Sequence, residues 1–110
     1  MSALELAQSL IKIKSISPKD EGCFELIEAE LSPLGFQIER IPELNCETLL
    51  AKYGDSGKVF CYLGHTDVVP SGPEEEWTSH PFEANIIDGE LIGRGAADMK
   101  GSVAVFIQSI

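Results

Sequence analysis

The 110-residue sequence carries 18 acidic against 8 basic residues, a formal net charge of −10, with 44% hydrophobic and 24% charged side chains. That balance fits one soluble globular domain, and it argues against nucleic acid or an anionic membrane surface as a partner, because both are gripped through Lys and Arg. No apolar run reaches bilayer-spanning length and no basic-then-apolar leader opens the chain, so a cytoplasmic protein is expected.

Ser2 and Glu5 form a capping-box pattern, and Ala3, Leu6, Ala7, Leu10 and Ile13 recur at helical spacing. A helix is predicted there, ending near Ser15 ahead of Ser17-Pro18. A second helix is predicted over residues 19–34 on the stripe Cys23, Leu26, Ile27 and Leu31, with Pro33 disturbing its last turn and Gly35 stopping it. Residues 36–41, closed by Pro42, and residues 47–53 read as strands, followed by a turn at 54–57. Residues 59–63 are an unbroken apolar run, the pattern of a strand buried on both faces. Cys23, Cys46 and Cys61 are odd in number and form no C-x-x-C pair, so reduced thiols are expected, Cys61 inside that buried strand.

Gly64 ends the run, and His65 and Asp67 follow where α/β sheets place their ligand sites. Two residues apart in extended chain, their side chains can face one cavity. A neutral imidazole is the commonest protein metal ligand, and a neighbouring carboxylate can orient it. A solvated loop pair is the alternative. Residues 71–81 read as an ordered surface loop in which Glu74, Glu75 and Glu76 make a solvated acidic edge. Trp77 and Phe82 are expected to pin this loop to the core, and His80 is not expected to be a ligand. Asp88-Gly89 marks a hairpin over residues 85–92.

The hairpin leads into Gly93-Arg94-Gly95-Ala96-Ala97-Asp98-Met99-Lys100-Gly101 and a final helix with Val103, Phe106, Ile107 and Ile110 on one side. Asp98 occupies the third glycine position of a dinucleotide fingerprint, where a carboxylate would face a pyrophosphate, so a nucleotide site is not expected. Two readings of Asp98 stay open. It can cap the helix, or it can be a buried carboxylate, enclosed by close-packed glycines, that ligates two divalent cations about 3.5–4 Å apart. The element order predicts an α/β domain, a mixed sheet layered with helices, with no boundary inside residues 1–110.

Gly64-His65-Thr66-Asp67-Val68-Val69-Pro70, Trp77, Pro81-Phe82, Asp88-Gly89 and residues 93–101 together resemble the co-catalytic zinc amidohydrolase and exopeptidase family. The double alanine before Asp98, with Ser15-Ile16-Ser17-Pro18 and Glu21-Gly22-Cys23, is most similar to members that hydrolyse the amide of N-succinyl-diaminopimelate for lysine and cell-wall synthesis. Those members usually carry an Asn before the apolar pair where this chain has Glu47-Thr48-Leu49-Leu50-Ala51, a departure expected to touch a loop and not the metals.

The resemblance implies a zinc-exopeptidase-like catalytic domain with two zinc (or cobalt) ions, a small-molecule substrate and a homodimer. His65 would bind one metal, Asp98 would bridge both, and Asp67 would fix the His65 ring during catalysis. The family's general-base glutamate, remaining ligands and dimerisation domain lie beyond the stretch equivalent to residue 110. The chain is therefore expected to be an N-terminal portion of the catalytic domain, inactive alone and prone to self-association. An acetylornithine deacetylase or metallopeptidase chemistry within the same family, and a non-catalytic acidic binding module, are the alternatives.

Overall fold

The computed structural model describes residues 1–110. Helix α1 (Ala3–Lys12) begins at the capping box: Ser2 Oγ accepts from the Glu5 amide at 3.1 Å and Glu5 Oε2 accepts from the Ser2 amide at 3.3 Å. Two amides that the helix cannot satisfy internally are thereby paired. The helix stops at Lys12, ahead of the predicted Ser15, because Ile13 turns extended (φ −88°, ψ 118°) and Ser15 takes a positive φ of 41°.

Helix α2 (Cys23–Leu31) also starts later than predicted. The Asp20 carboxylate accepts from the amides of Gly22 and Phe24, each at 3.1 Å, and Gly22 sits at φ 115°, so residues 19–22 form a loop that caps the helix. A 3-10 turn over Ser32–Leu34 takes up Pro33, and Gly35 leaves it at φ 95°, as the sequence predicts.

Strand β1 (Gln37–Glu43) pairs antiparallel with β2 (Cys46–Lys52), from Gln37 opposite Lys52 to Glu43 opposite Cys46. Pro42 does not close the strand. It lies opposite Glu47 within the ladder, which an edge strand tolerates because no donor is needed on its open side. Arg40 fastens this ribbon to α2, reaching Glu28 at 2.6 Å, Glu47 at 3.1 Å and Glu25 at 3.5 Å.

The run at 59–63 departs most from expectation. It forms no strand, and Val59, Phe60 and Leu63 are 90%, 83% and 88% exposed, with Cys61 exposed beside them. A strand buried on both faces needs neighbours along both edges, and among these 110 residues no segment pairs with it. Aromatic stacking is the packing it does find, Tyr62 lying 4.1 Å and Phe60 6.2 Å from the Phe106 ring. The α/β architecture thus consists of helices with two antiparallel ribbons, β1–β2 and the hairpin β3 (Ile86–Ile87) with β4 (Glu90–Leu91). The parallel component is a single bridge, Ile16 to Val68. Asp88 and Gly89 turn the hairpin at φ 52° and 81°, the left-handed pair that a two-residue loop requires.

The core forms where α1 and α2 meet α3 (Gly101–Ser109): Leu6, Ala7 and Leu10 pack with Cys23, Ile27, Leu31, Val103, Ala104 and Ile107. Burying a side chain such as Leu10 contributes roughly 1.5–3 kcal/mol each. Cys23 has no exposed surface, whereas Cys46 and Cys61 are exposed. Desolvation pushes the Cys23 thiol above its ordinary value of 9.0. Above pH 9.0 the folded chain therefore keeps a proton that the unfolded chain has released, so this contribution to stability is complete below 9.0 and lost as pH rises. The stability of the wild-type chain is expected to fall more steeply above pH 9.0 than that of Cys23→Ala. Parallel denaturant titrations of the two across pH 8 to 10 (a window of roughly one unit on either side) check this, and equal slopes would refute it.

Candidate metal centre

Both motifs are fixed to the chain as it leaves α1. The Val68 amide donates to the Ser15 carbonyl at 3.0 Å, the Ser17 amide donates to the Val68 carbonyl at 2.9 Å, and Ser15 Oγ donates to the Thr66 carbonyl at 2.9 Å. Ser15, Thr66 and Val68 are buried, so the residues on either side of Asp67 are held in place. From the second motif, Lys100 reaches the same segment and donates from Nζ to the Ile13 carbonyl at 2.6 Å. Its side chain has no exposed surface, and desolvation pushes its ammonium pKa down. A lysine so enclosed is rare, and its partner is a carbonyl at the electronegative end of α1.

The two motifs also touch directly. Met99 Sδ accepts from the His65 amide at 3.4 Å. A Cβ on Gly64 would stand 3.2 Å from Met99 Cε, and one on Gly95 would stand 2.7 Å from Val68 Cγ1. The glycines allow the two backbones to lie side by side. Residues Ala96–Lys100 form a kinked turn in which Asp98 (φ −129°, ψ 91°) and Met99 (φ −141°, ψ 27°) are not helical.

That kink removes one of the two readings of Asp98, the helix cap. Its carboxylate caps no helix amide, and α3 has no side-chain cap. Its Oδ1 instead lies 3.1 Å from His65 Nε2, across 33 positions of sequence. The Asp98 side chain is 88% exposed, not enclosed as the packed glycines suggested, because the glycines bring backbones together and leave the carboxylate uncovered. On the other side of the ring, His65 Nδ1 lies 3.0 Å from the Asp67 carbonyl and 3.5 Å from Asp67 Oδ1. With Nδ1 donating to that carbonyl, the Nε2 lone pair points at Asp98. Two acceptor atoms then face each other at hydrogen-bonding distance, an arrangement that calls for a proton or a metal cation between them.

The pair opens on a cleft of about 280 Å³, lined by His65, Asp67, Asp98, Arg94, Ser17 and Ala97 among others. His65 Nε2 and Asp98 suit a zinc-like cation in kind. In number they fall one short of the three protein ligands of a catalytic zinc, and no group of three or more His, Cys, Asp or Glu converges anywhere in the 110 residues.

The remaining sequence candidates have structural tasks. His80 accepts from the Phe82 amide on Nδ1 at 3.1 Å and meets Glu74 at 3.3 Å through Nε2. Trp77 donates to the Ser71 carbonyl at 3.0 Å, closing the loop on itself, and Phe82 is buried. Sequence reasoning gave Ser15, Arg94 and Lys100 no role in the site. All three stand inside quoted motifs, so the pattern contained them while giving no sign of their burial or partners.

Comparison with known proteins gives matches in both sequence and structure. Residues 61–110 match the model of Peptidase family M20/M25/M40. The chain is 50% identical over 107 residues to the succinyl-diaminopimelate desuccinylase of Alkalilimnicola ehrlichii, covering 97% of this chain and 28% of that protein. Against the proteins of the same name from Thioalkalivibrio sulfidiphilus and Hydrogenovibrio crunogenus it is 48% and 52% identical, over 94% of this chain and 28% of each. It superposes on the crystal structure of human carnosine dipeptidase 1 with a TM-score of 0.81 at 26% identity, over 97% of this chain and 27% of that one. The chain thus spans a little over a quarter of the length of the relatives it matches. On the matched motifs, the shared fold and this level of identity, the chain is similar to members of Peptidase family M20/M25/M40, whose model matches its residues 61–110.

Proposed function

We propose that this chain is part of the catalytic domain of a metal-dependent amide hydrolase whose substrate is N-succinyl-diaminopimelate, cleaved to succinate and diaminopimelate. The observation that carries the reading is the 3.1 Å approach of His65 Nε2 to Asp98 Oδ1. Identity of 48–52% to desuccinylases supports this substrate over the dipeptide suggested by the structural neighbour at 26%.

His65 would hold zinc or cobalt through Nε2, and Asp98 would be the carboxylate shared between two ions. When bound, such an ion supplies Lewis acidity to the scissile amide carbonyl. Asp67 would orient the imidazole through its carbonyl and its carboxylate, keeping the proton on Nδ1. The general base and the other ligands would come from polypeptide outside residues 1–110, so the 110-residue chain alone would not turn over substrate. A homodimer and a cytoplasmic setting accompany this reading, and no helix here is long and apolar enough to cross a membrane.

The test replaces the matching segment of the Alkalilimnicola ehrlichii relative with residues 1–110. This chimera is expected to release succinate from N-succinyl-diaminopimelate, to stop on chelation and to recover with zinc. A folded, zinc-loaded chimera that cleaves a dipeptide or N-acetylornithine in preference would overturn the substrate assignment.

A further inference from the structure

Among the residues lining the His65–Asp98 cleft, Arg94 is the sole permanent cation. It is also without an ion-pair partner. Arg40 engages three carboxylates, whereas no acidic side chain comes within salt-bridge distance of Arg94, in a chain with 18 of them. Its Nε is buried and makes no hydrogen bond. That nitrogen is closed to the cleft, and the two terminal nitrogens of the guanidinium, which are not buried, make no hydrogen bond or ion pair within the chain and are the donors left for an acceptor.

The side chain is nevertheless held in place. The Arg94 amide donates to the Pro81 carbonyl at 2.8 Å, and the guanidinium lies over the Trp77 ring at 5.2 Å. Gly93 presses the backbone against the core, since a Cβ there would stand 2.6 Å from Ile11 Cγ2. A guanidinium with one face on an indole and its edge unpaired is preorganised for a planar anion taken in two parallel hydrogen bonds. In the metal-free chain Asp67 and Asp98 repel any anion entering the cleft, and Arg94 is the one lining residue that attracts it.

We propose that Arg94 is a specificity-determining residue that docks a carboxylate of the substrate beside the His65–Asp98 pair; that the carboxylate belongs to an N-acyl amino acid rests on the hydrolase reading above. Trp77 is the only tryptophan, so its emission reports on the stacked guanidinium. Succinate titrated into the 110-residue chain at constant ionic strength is expected to change Trp77 emission saturably, while uncharged succinamide leaves it unchanged. Arg94→Lys, which keeps the charge and loses the fork, is expected to weaken the succinate response on the order of tenfold or more. No response to succinate, an equal response to succinamide, or an equal response in Arg94→Lys would each overturn the proposal. The succinamide comparison uses the unmodified chain and so does not depend on how the variant folds.

A second arm asks who supplies the carboxylate. In the chimera, Arg94→Lys is expected to raise KM for N-succinyl-diaminopimelate by about tenfold or more, with kcat and zinc stoichiometry changing far less. An unmoved KM would assign the partner carboxylate to the polypeptide itself and overturn the substrate role. If the chimera hydrolysed no amide while succinate still moved Trp77, the hydrolase reading would fail and the carboxylate site would stand.

Discussion

Gly95→Ala is expected to destabilise the chain by about 2–5 kcal/mol, read as a lowered denaturant midpoint. Gly95 sits at φ +88°, where an L side chain costs about 1–2 kcal/mol. The new Cβ would also stand 2.7 Å from Val68 Cγ1 and 3.3 Å from Lys100 Cδ. Neither neighbour can retreat easily, because Val68 is hydrogen-bonded to Ser15 and Ser17, and Lys100 to Ile13. Overpacking of that kind adds about 1–3 kcal/mol. Gly54 supplies the control, at φ +83° with nothing within 4 Å of its virtual Cβ. Gly54→Ala should therefore lose about 1–2 kcal/mol from the backbone alone. Equal losses at the two positions would mean that the contact between the motifs does not matter. Against a total stability of roughly 5–15 kcal/mol for a domain, the expected difference is easily resolved.

Asp98→Asn in the chimera is expected to lower zinc affinity by more than about 100-fold, since loss of even an outer partner of a metal ligand costs roughly 10–100-fold. The amide keeps the size of the side chain and removes both its charge and one of its two acceptor oxygens, so bridging is lost without a packing change. At 88% exposure the substitution disturbs no core contact, and thermal stability without metal should stay within about 0.5 kcal/mol of wild type. Asp67→Ala is expected at the low end of the outer-partner range, about tenfold, because the Asp67 carbonyl at 3.0 Å still holds Nδ1 while the carboxylate stands at 3.5 Å. Isothermal titration with zinc distinguishes the variants. If Asp98→Asn bound zinc as tightly as wild type, the carboxylate would be a surface group and the metal reading would be withdrawn.

Local rules made several features readable from sequence. The Ser2–Glu5 box, the Asp88-Gly89 turn and the Gly35 stop depend only on residues a few positions apart. The partnership of His65 with Asp98 is not local, and only the resemblance of the two motifs to a two-metal family pointed to it. The run at 59–63 misled for the opposite reason. Apolar composition states what a segment would bury, and cannot state whether neighbours are present to bury it. Lys100 inverts the same rule: a charged side chain reads as surface, and only coordinates show it enclosed with a carbonyl 87 positions earlier as its partner. Arg94 likewise reads as an ordinary exposed cation until its missing counter-ion is seen.

Residues 13–17 receive Lys100 from one side and Thr66 and Val68 from the other. A displacement of this short strap carries both donors along together, so their spacing survives motions of α1 that would separate two independently mounted loops. Grafting residues 64–70 and 93–101 onto a foreign scaffold would reproduce His65 and Asp98 and lose their alignment, unless the first seventeen residues travelled with them.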